Sequence, residues 1–219
     1  WCRLLLRLAL LLSTWAVAVW LPVRSPPAAD DATAHVPTVD WTQLRPDVDR
    51  PLGSGGFGTV VAGVYQDRPA AIKFLNREAL ADGEVYSAVA REARVHAAVQ
   101  GHCPDHVVRL YGALLTHERP CMVMELAERT LREVLHPATD EQPRPRVLLR
   151  ALPVVAQAAG GLHHMHRQGV GHGDLKPANV LVMRDGTAKL ADFGCTRVAA
   201  EEGEDATLLE QGTLPYSCG

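Results

Sequence analysis

Four side chains that could transfer a phosphoryl group lie close together in the second half of this chain. The stretch His172-Gly173-Asp174-Leu175-Lys176-Pro177-Ala178-Asn179 is followed by the triplet Asp192-Phe193-Gly194. Together they supply two carboxylates, an ammonium group and a carboxamide. Phosphoryl transfer uses a carboxylate to orient the attacking hydroxyl, a cation near the moving phosphate, and oxygen ligands for magnesium. The residue types and their spacing therefore indicate phosphoryl transfer.

A glycine-rich segment lies upstream, with Gly53, Gly55 and Gly58 in the pattern G-x-G-x-x-G-x-V. An ordinary glycine hairpin or a dinucleotide-binding turn could also have this sequence. The dinucleotide turn needs a helix directly after it and an acidic residue about twenty positions further on. Residues 59–65 are instead mostly apolar and alternate like a strand, which predicts a loop between two strands. Glycines at such a loop let backbone N–H groups approach phosphates closely.

A lysine and a glutamate lie between these two regions. Ala70-Ala71-Ile72-Lys73 ends a predicted strand, and residues 77–99 are rich in Ala, Glu and Arg, a composition that favours a helix. Each residue alone has an ordinary interpretation: Lys73 as an exposed lysine and Glu92 as a solvated charge on that helix.

Taken together, these motifs resemble the eukaryotic protein kinases, from about Asp47 to the last residue. The chain has the family's order of glycine loop, Lys73, Glu92, Asp174, Asn179 and Asp192. The resemblance implies an α+β, bilobal protein-kinase-like fold. Its small lobe would be a five-stranded antiparallel sheet plus one helix, and its large lobe would be mainly helical and incomplete.

The resemblance also implies a role for each residue near the reacting phosphate. Asp174 would orient the substrate hydroxyl, and Lys176 would steady the γ-phosphate. Asn179 and Asp192 would hold Mg²⁺, which prefers oxygen ligands. A lysine two residues after the catalytic aspartate resembles the pattern of serine/threonine kinases. The expected partner is therefore a protein substrate with Ser or Thr.

The rest of ATP would be bound by residues of the small lobe and the hinge. Lys73, paired with Glu92, would contact the α- and β-phosphates beneath Gly53, Gly55 and Gly58. Adenine would lie between Val60, Ala71 and Leu181 and would bond the hinge backbone from Glu125 to Ala127. The expected cofactors are therefore ATP and Mg²⁺.

We expect four regions along the chain. They are a hydrophobic membrane-span or targeting segment (1–24), a Pro/Ala-rich linker (25–46), the small lobe (47–126) and a partial large lobe ending in the activation segment (127–219). Strands are predicted near 48–55, 58–65, 69–74, 107–115 and 121–126, and helices near 79–99, from 130 to 135, and over 147–166. Pro137, Pro143 and Pro145 predict a loop between the last two helices.

The apolar residues 4–21 leave several alternatives open. The uncharged part, 8–21, is short for a membrane span and about as long as the apolar region of a signal peptide. Because arginines precede it, the positive-inside rule argues against a span with a cytosolic kinase. A single-pass membrane protein with a cytosolic kinase domain is the first expectation. A cleaved or organellar targeting peptide, a mistranslated exon and a cytoplasmic protein are the alternatives.

The composition excludes little. A hydrophobic content of 47% suits a folded core, and a formal net charge of −3 without a basic stripe gives no reason to expect nucleic acid. The five cysteines show no C-x-x-C spacing and fit reduced thiols.

Cys195 is either a reactive thiol near the nucleotide or an inert packed residue. His163 and His166 share a helix face, so a metal site there is the alternative to ordinary helix residues.

Three departures from the family pattern have consequences. Gly173 stands where the family usually has the arginine that grips a phosphorylated activation loop, so activity is expected not to depend on that phosphate. His96 stands at a usually apolar position one turn after Glu92 and is expected to loosen the packing of the helix. Cys218 and Gly219 stand where Ala and Pro are usual in the family, and the remaining large-lobe helices are expected to be missing from this sequence.

Two classes of function follow. The first is a protein kinase that transfers the ATP γ-phosphate to Ser/Thr hydroxyls of proteins, represented here by an incomplete domain. The alternative is a catalytically silent ATP-binding pseudokinase or scaffold module. A small-molecule kinase of similar fold fits less well, because Lys176 and the Asp192 triplet suit protein kinases better.

Overall fold

The computed structural model describes residues 35–55, 58–75, 83–115, 119–137 and 144–198. The apolar segment 4–21, the tip of the glycine loop at 56–57 and the end of the predicted activation segment, residues 199–219, lie outside the described residues. In the described part of the chain, no helix is both long and apolar enough to cross a membrane.

The small lobe is built on a five-stranded antiparallel sheet in the order β1-β2-β3-β5-β4. The strands are β1 (Leu44–Gly55), β2 (Gly58–Tyr65), β3 (Arg68–Leu75), β4 (Leu110–Leu114) and β5 (Cys121–Glu125). The predicted small-lobe sheet is therefore confirmed. The β1 strand begins earlier than predicted, and its register with β2 shifts around Pro51.

Alternation along β3 separates the two faces of this sheet. Ala70, Ile72 and Phe74 are buried in a core cluster on one face. Ala71 and Lys73 are half-buried and lie on the opposite face, because successive strand residues point to opposite sides. The pattern of β3 thus places Lys73 away from the apolar cluster that anchors the strand.

The helix α1 (Gly83–His102) bridges the two lobes. Val89 and Ala93 pack against β4 and β5 in a small-lobe cluster, whereas Val99 belongs to the core cluster of the large lobe. The three residues are four and six positions apart, so the helix contributes to both clusters at successive points along its length. The helix ends three residues later than predicted, and its predicted first residues, 79–82, lie outside the described residues.

The segment before β4 belongs to the large lobe rather than to the sheet. A strand was expected from Val107, but β4 begins only at Leu110. Val107 forms an isolated bridge with Leu190, and the Val108 N–H donates to Leu190 O at 2.9 Å. Backbone bonding to the large lobe therefore replaces sheet pairing at these residues.

Residues 35–46 lie in the segment that the sequence assigns to a linker, yet part of it packs onto the small lobe. The Val39 N–H donates to Ala113 O at 3.1 Å. The side chains of Val39 and Leu44 are buried in the core cluster of β2 and β3. Part of the predicted linker therefore contributes to the core of the small lobe.

Two helices of the large lobe lie in the described residues. The short α2 (Leu131–Leu135) starts at a capping box in which Thr130 and Glu133 bond each other's backbone N–H. The longer α3 (Arg144–Arg167) begins before the predicted residue 147. Pro145 lies in its first turn rather than in a loop, since no N–H is needed for a hydrogen bond there.

The core of the large lobe is formed by one face of α3 and short strand pairs. Ala151, Val154, Ala158, Leu162 and Met165 are all buried, and their spacing of three or four residues gives a single apolar stripe. The short strands are β6 (Arg129–Thr130), β7 (Val170–Gly171), β8 (Val180–Val182), β9 (Ala188–Leu190) and β10 (Arg197–Val198).

These short strands position the segments with the candidate catalytic residues. Strands β6, β8 and β9 form one small sheet, and β7 pairs with β10. Residues 172–179 connect β7 to β8, and residues 191–196 connect β9 to β10. Both connections therefore begin and end at paired strands.

Candidate active site

Lys73 and Glu92 form a buried ion pair between β3 and α1. The Lys73 Nζ lies 2.6 Å from Glu92 Oε1 and 3.7 Å from Asp192 Oδ1. Burial lowers the pKa of Lys73, but the Glu92 and Asp192 carboxylates outweigh that effect and the net pKa is raised. The lysine is therefore charged at neutral pH and brings the two carboxylates to one point. The structure thus brings together three of the residues that the sequence singled out.

Breaking this pair is expected to destabilise the fold. Because Glu92 is only 6% exposed, Lys73→Met leaves a buried carboxylate without its cation. We expect the free energy of unfolding at pH 7 to fall by about 3 kcal/mol. The double variant Lys73→Met/Glu92→Gln removes the uncompensated charge and should recover most of that loss. Urea unfolding of both variants checks this, and equal stabilities of the single and double variants would contradict it.

The catalytic loop candidates form a second cluster around Asp174, which is buried. The Lys176 Nζ lies 2.7 Å from Asp174 Oδ2. The Asn179 side-chain N–H groups donate to Asp174 O at 2.8 Å and to Asp174 Oδ2 at 3.1 Å. One carboxylate oxygen therefore accepts from both neighbours, which fixes the orientation of the Asp174 side chain.

Hydrogen bonds of the Ala191 backbone and of the His172 ring connect the two clusters. The Ala191 N–H donates to Asn179 O at 3.0 Å. The His172 Nε2 lies 3.1 Å from Ala191 O, and the Asp174 N–H donates to His172 Nδ1 at 3.4 Å. This pattern is that of a neutral ring that donates through Nε2, consistent with burial lowering the pKa of His172. The residue before Asp192 is thus bonded on both sides to the catalytic loop.

Asp192 adopts an unusual backbone conformation, with a φ of 68°. A non-glycine residue in the left-handed region costs on the order of 1–3 kcal/mol, so surrounding contacts must hold it there. Those contacts include the ring of Phe193, which is only 1% exposed. The backbone at Asp192 places its carboxylate near Lys73 while Phe193 is buried beneath α1.

His96 stabilises this arrangement rather than loosening it, so that expectation was wrong. The His96 ring is 1% exposed and lies 4.8 Å from the Phe193 ring, centroid to centroid. Its Nε2 lies 2.7 Å from Val108 O, so the neutral ring can donate a hydrogen bond to that carbonyl. On the other side of Phe193, the His172 ring lies 5.3 Å away. The sequence could not identify the Val108 carbonyl as a partner.

The buried His96 predicts a loss of stability in mild acid. Burial, together with the Lys73 charge, lowers its pKa from 6.5 to about 4, although Val108 O, Asp192 and Glu125 oppose this. Between pH 6.5 and 4 the unfolded chain takes up a proton at His96 that the folded chain does not. The free energy of unfolding should therefore fall with decreasing pH by at most about 1.4 kcal/mol per pH unit from this group.

Comparison with His96→Leu isolates this contribution, because every other titrating group is retained. Urea unfolding at several pH values should give a shallower pH dependence between pH 6.5 and 4 for the variant. Identical slopes for the two proteins would show that His96 is not buried in its neutral form.

The glycine loop is a hairpin between β1 and β2. Gly53 lies opposite Val60, and Gly55 lies opposite Gly58. No helix follows the loop, so the dinucleotide-turn alternative is wrong. A Cβ on Gly58 would lie 2.0 Å from Phe74 O, whereas a Cβ on Gly53 would meet no atom of the described residues within 4 Å. Packing on β3 therefore explains the glycine at 58 but not the one at 53.

The residues expected around adenine are divided between the two lobes. Val60 lies opposite Lys73, and Ala71 lies opposite Met124, so both share the sheet face of Lys73. Leu181 comes from β8 of the large lobe, where it lies opposite Lys189. Val60, Ala71 and Leu181 are all half-buried.

At the hinge, the Glu125 side chain is held by contacts that sequence reasoning missed. Its Oε1 accepts from Lys189 Nζ at 2.6 Å and from the Arg109 N–H at 2.7 Å. The Glu125 N–H donates to Arg109 O at 2.9 Å. Ala127 follows and is half-buried. Lys189 carries no sequence signal for this role, because its partner is 64 residues away.

Gly173 lies against the backbone that follows the Asp192 triplet. Its φ is 79°, and a Cβ built on it would lie 1.9 Å from Cys195 O. Thr196, which follows Cys195, is buried, and its hydroxyl donates to His172 O at 3.3 Å. The Arg91 Nη2 of α1 donates to Thr196 O at 3.2 Å. Sequence reasoning did not identify Arg91 or Thr196.

Two alternatives from the sequence concern other side chains. Burial raises the pKa of the Cys195 thiol, so the protonated, packed form is favoured over a reactive thiolate. Within the ranges that the structure describes, which include His163 and His166, no group of three or more His, Cys, Asp or Glu side chains could hold a metal.

Comparison with known proteins decides the family. A sequence model of the protein kinase domain matches residues 47–218, most of the chain. The chain belongs to the protein kinase family. The ion pair, the catalytic loop and the Asp192 triplet described above all lie inside the matched region of this protein kinase domain.

Curated relatives are named serine/threonine-protein kinases. PknL of Mycobacterium tuberculosis is 36% identical over 172 residues, covering 77% of this chain and 41% of the relative. Pkn2 of Myxococcus xanthus is 39% identical over 155 residues, covering 68% of this chain and 18% of the relative. Mos of Xenopus laevis is 32% identical over 174 residues, covering 77% of this chain and 46% of the relative. This protein kinase domain therefore spans less than half the length of these relatives.

Proposed function

We propose that this chain is an ATP-dependent protein kinase that transfers the γ-phosphate to Ser or Thr hydroxyls of protein substrates. The observation that carries the proposal is the connection between its two polar clusters. The Lys73–Glu92–Asp192 cluster and the Asp174–Lys176–Asn179 cluster are joined by the hydrogen bond from the Ala191 N–H to Asn179 O. One cluster supplies a cation for phosphates, and the other an oriented carboxylate.

The small lobe fits the triphosphate of ATP. The ammonium group of Lys73 is charged and held by two carboxylates, so it would bind the α- and β-phosphates as a fixed cation. Among the residues that the structure describes, none would collide with a side chain at Gly53. A phosphate chain approaching the backbone N–H groups of the loop would use the space beside Gly53.

Two residues fit a magnesium ion. Asn179 offers its carboxamide oxygen, since its nitrogen is already bonded to Asp174, and Asp192 offers a carboxylate that is 43% exposed. Oxygen donors of these two kinds are typical Mg²⁺ ligands. A bound Mg²⁺ would neutralise charge on the phosphates during transfer.

Asp174 would act on the substrate hydroxyl. Its carboxylate is oriented by Lys176 and Asn179 and would accept a hydrogen bond from the hydroxyl. The hydroxyl oxygen forms a bond to the γ-phosphorus while the bond to the β–γ bridging oxygen breaks. ADP leaves, and the hydroxyl proton passes to Asp174. Lys176 would stay close to the transferred phosphoryl group.

The proposed location of the kinase domain rests on its proposed use of ATP. We propose a kinase domain exposed to the cytoplasm, where ATP is available. Membrane association through residues 4–21 stays a prediction, as do the boundaries of the four regions.

Transfer of label from [γ-³²P]ATP to casein tests the function. We expect labelling that requires Mg²⁺ and yields phosphoserine or phosphothreonine on hydrolysis. The silent pseudokinase alternative predicts ATP binding without labelled casein. Labelled phosphotyrosine alone would contradict the proposed Ser/Thr preference.

Activity is expected to be independent of activation-segment phosphorylation. Gly173 has no side chain to grip a phosphate, and Arg91 already donates to the backbone at Thr196. A phosphatase-treated sample should keep its casein-labelling rate within about 2-fold of the untreated sample, since no charge-assisted contact is lost. A loss of most of the rate on treatment, recovered on rephosphorylation, would contradict this.

A further inference from the structure

Thr196 lies between Cys195 and β10 and is only 1% exposed. Its hydroxyl donates to His172 O at 3.3 Å, its N–H donates to Phe193 O at 3.1 Å, and its carbonyl accepts from Arg91 at 3.2 Å. All three polar groups of this residue are therefore bonded, one within its own segment and two to other parts of the site.

Two of these partners lie outside the segment that contains Thr196. His172 begins the catalytic loop, and Arg91 precedes Glu92 on α1, whereas the bond to Phe193 O closes a turn within the segment itself. A shift of the segment after Asp192 against the catalytic loop or α1 must therefore break one of the two outer bonds. Strand pairing of Arg197 with Gly171 fixes the other end of the segment.

Gly173 makes the contact between these segments possible. A side chain at 173 would collide with Cys195 O, so glycine lets the two backbones approach. The Thr196 hydroxyl then reaches the carbonyl of His172, one residue before Gly173. The missing side chain at 173 and the hydroxyl at 196 are thus two parts of one contact.

We propose that Thr196 is a positioning residue that holds Asp192 in its left-handed conformation for the binding of Mg²⁺ and ATP. It acts by bonding the segment after Asp192 to the catalytic loop and to α1. This inference rests on the proposed function, because it assigns a role in the same nucleotide site. The hydroxyl of Thr196, rather than its volume, matters for the reaction.

Two substitutions separate the hydroxyl from packing. Thr196→Val replaces the hydroxyl by a methyl group and keeps the branched shape, whereas Thr196→Ser keeps the hydroxyl and removes the methyl group. We expect Val to weaken Mg²⁺-dependent ATP binding and to lower kcat, each by about 5-fold, the effect of one neutral hydrogen bond. Serine should stay within about 2-fold of the wild-type chain in both measurements. ATP binding in EDTA should be the same in all three proteins.

Amide hydrogen exchange supplies a readout that does not need activity. Residues 192–198 should exchange faster in Thr196→Val than in Thr196→Ser, while β2 and β3 exchange at the same rate in both. A role in core packing alone predicts the opposite order, because Ser leaves the larger cavity. Equal exchange, Mg²⁺ dependence and kcat in Val and wild type would overturn the inference.

Absence of kinase activity and absence of a positioning role for Thr196 would give different results in these experiments. A wild-type chain that binds Mg²⁺ and ATP but labels no substrate would contradict the proposed kinase activity. The binding and exchange measurements on the Val and Ser variants would still decide whether Thr196 positions Asp192.

Discussion

Replacing Asp174 by Asn is expected to lower the rate of casein labelling by a factor of about 10² to 10⁴, the range for loss of a general base. The substitution keeps the size and shape of the side chain but removes its negative charge. An amide at this position cannot take the hydroxyl proton. Its oxygen can still accept from the Asn179 and Lys176 donors, which now bond Asp174 Oδ2, so the other side of the amide presents a nitrogen donor in place of a carboxylate acceptor.

The matched control for this substitution is Asp105→Asn. Asp105 is exposed and lies in the turn between α1 and β4, away from both clusters. It should label casein at the wild-type rate. ATP binding by Asp174→Asn should change by less than about 3-fold, because Asp174 is assigned to the hydroxyl rather than to the nucleotide. Wild-type labelling by Asp174→Asn would show that this carboxylate is not the base.

Gly173→Ala is expected to have the second largest effect, on both stability and transfer. The new Cβ would lie 1.9 Å from Cys195 O, a backbone atom that cannot move alone because Arg197 pairs with Gly171. We expect the free energy of unfolding to fall by about 3 kcal/mol from strain and overlap together. Displacement of the segment after Asp192 should also lower the labelling rate by more than about 10-fold.

Gly186→Ala provides a control with the same backbone conformation and no collision. Gly186 has a φ of 85°, and a Cβ there would meet nothing within 4 Å. The free energy of unfolding of Gly186→Ala should fall only by the cost of the left-handed conformation, about 1 kcal/mol. Urea unfolding of both variants separates the collision from the conformational cost. Equal losses would mean that the Cys195 carbonyl can yield, and that Gly173 is not required for packing.

The same geometry predicts that the arginine usual in the family cannot simply be restored here. Gly173→Arg brings the same Cβ as Gly173→Ala, so it should be at least as destabilised. It should not gain control by phosphorylation while Cys195 O occupies the space beside the Cα.

Local patterns were sufficient to predict a strand after the glycine loop, and the resemblance to protein kinases implied the rest of the small-lobe sheet. Alternation in β2 and β3 and the glycine spacing depend only on neighbours in sequence. The resemblance then predicted that Lys73 would pair with Glu92, and the 2.6 Å ion pair confirms the pairing. The roles assigned to these residues in binding ATP stay predictions.

Contacts between distant backbone groups could not be predicted from local patterns. Val107 and Val108 have the composition of a strand, and only the folded chain shows that they bond Leu190 rather than the sheet. His96 likewise gave the wrong expectation, because a buried imidazole is stable only where a carbonyl such as Val108 O lies within reach. Lys189 and Thr196 gave no signal for the same reason.

The central claim is that the joined clusters transfer phosphate and do not merely bind nucleotide. A parallel measurement of Mg²⁺–ATP affinity and of single-turnover casein labelling, in the wild-type chain and in Asp174→Asn, tests this most directly. We expect similar affinities for both proteins and labelling of serine or threonine by the wild-type chain alone. Equal labelling by the two proteins, or ATP binding with no labelling by either, would contradict it.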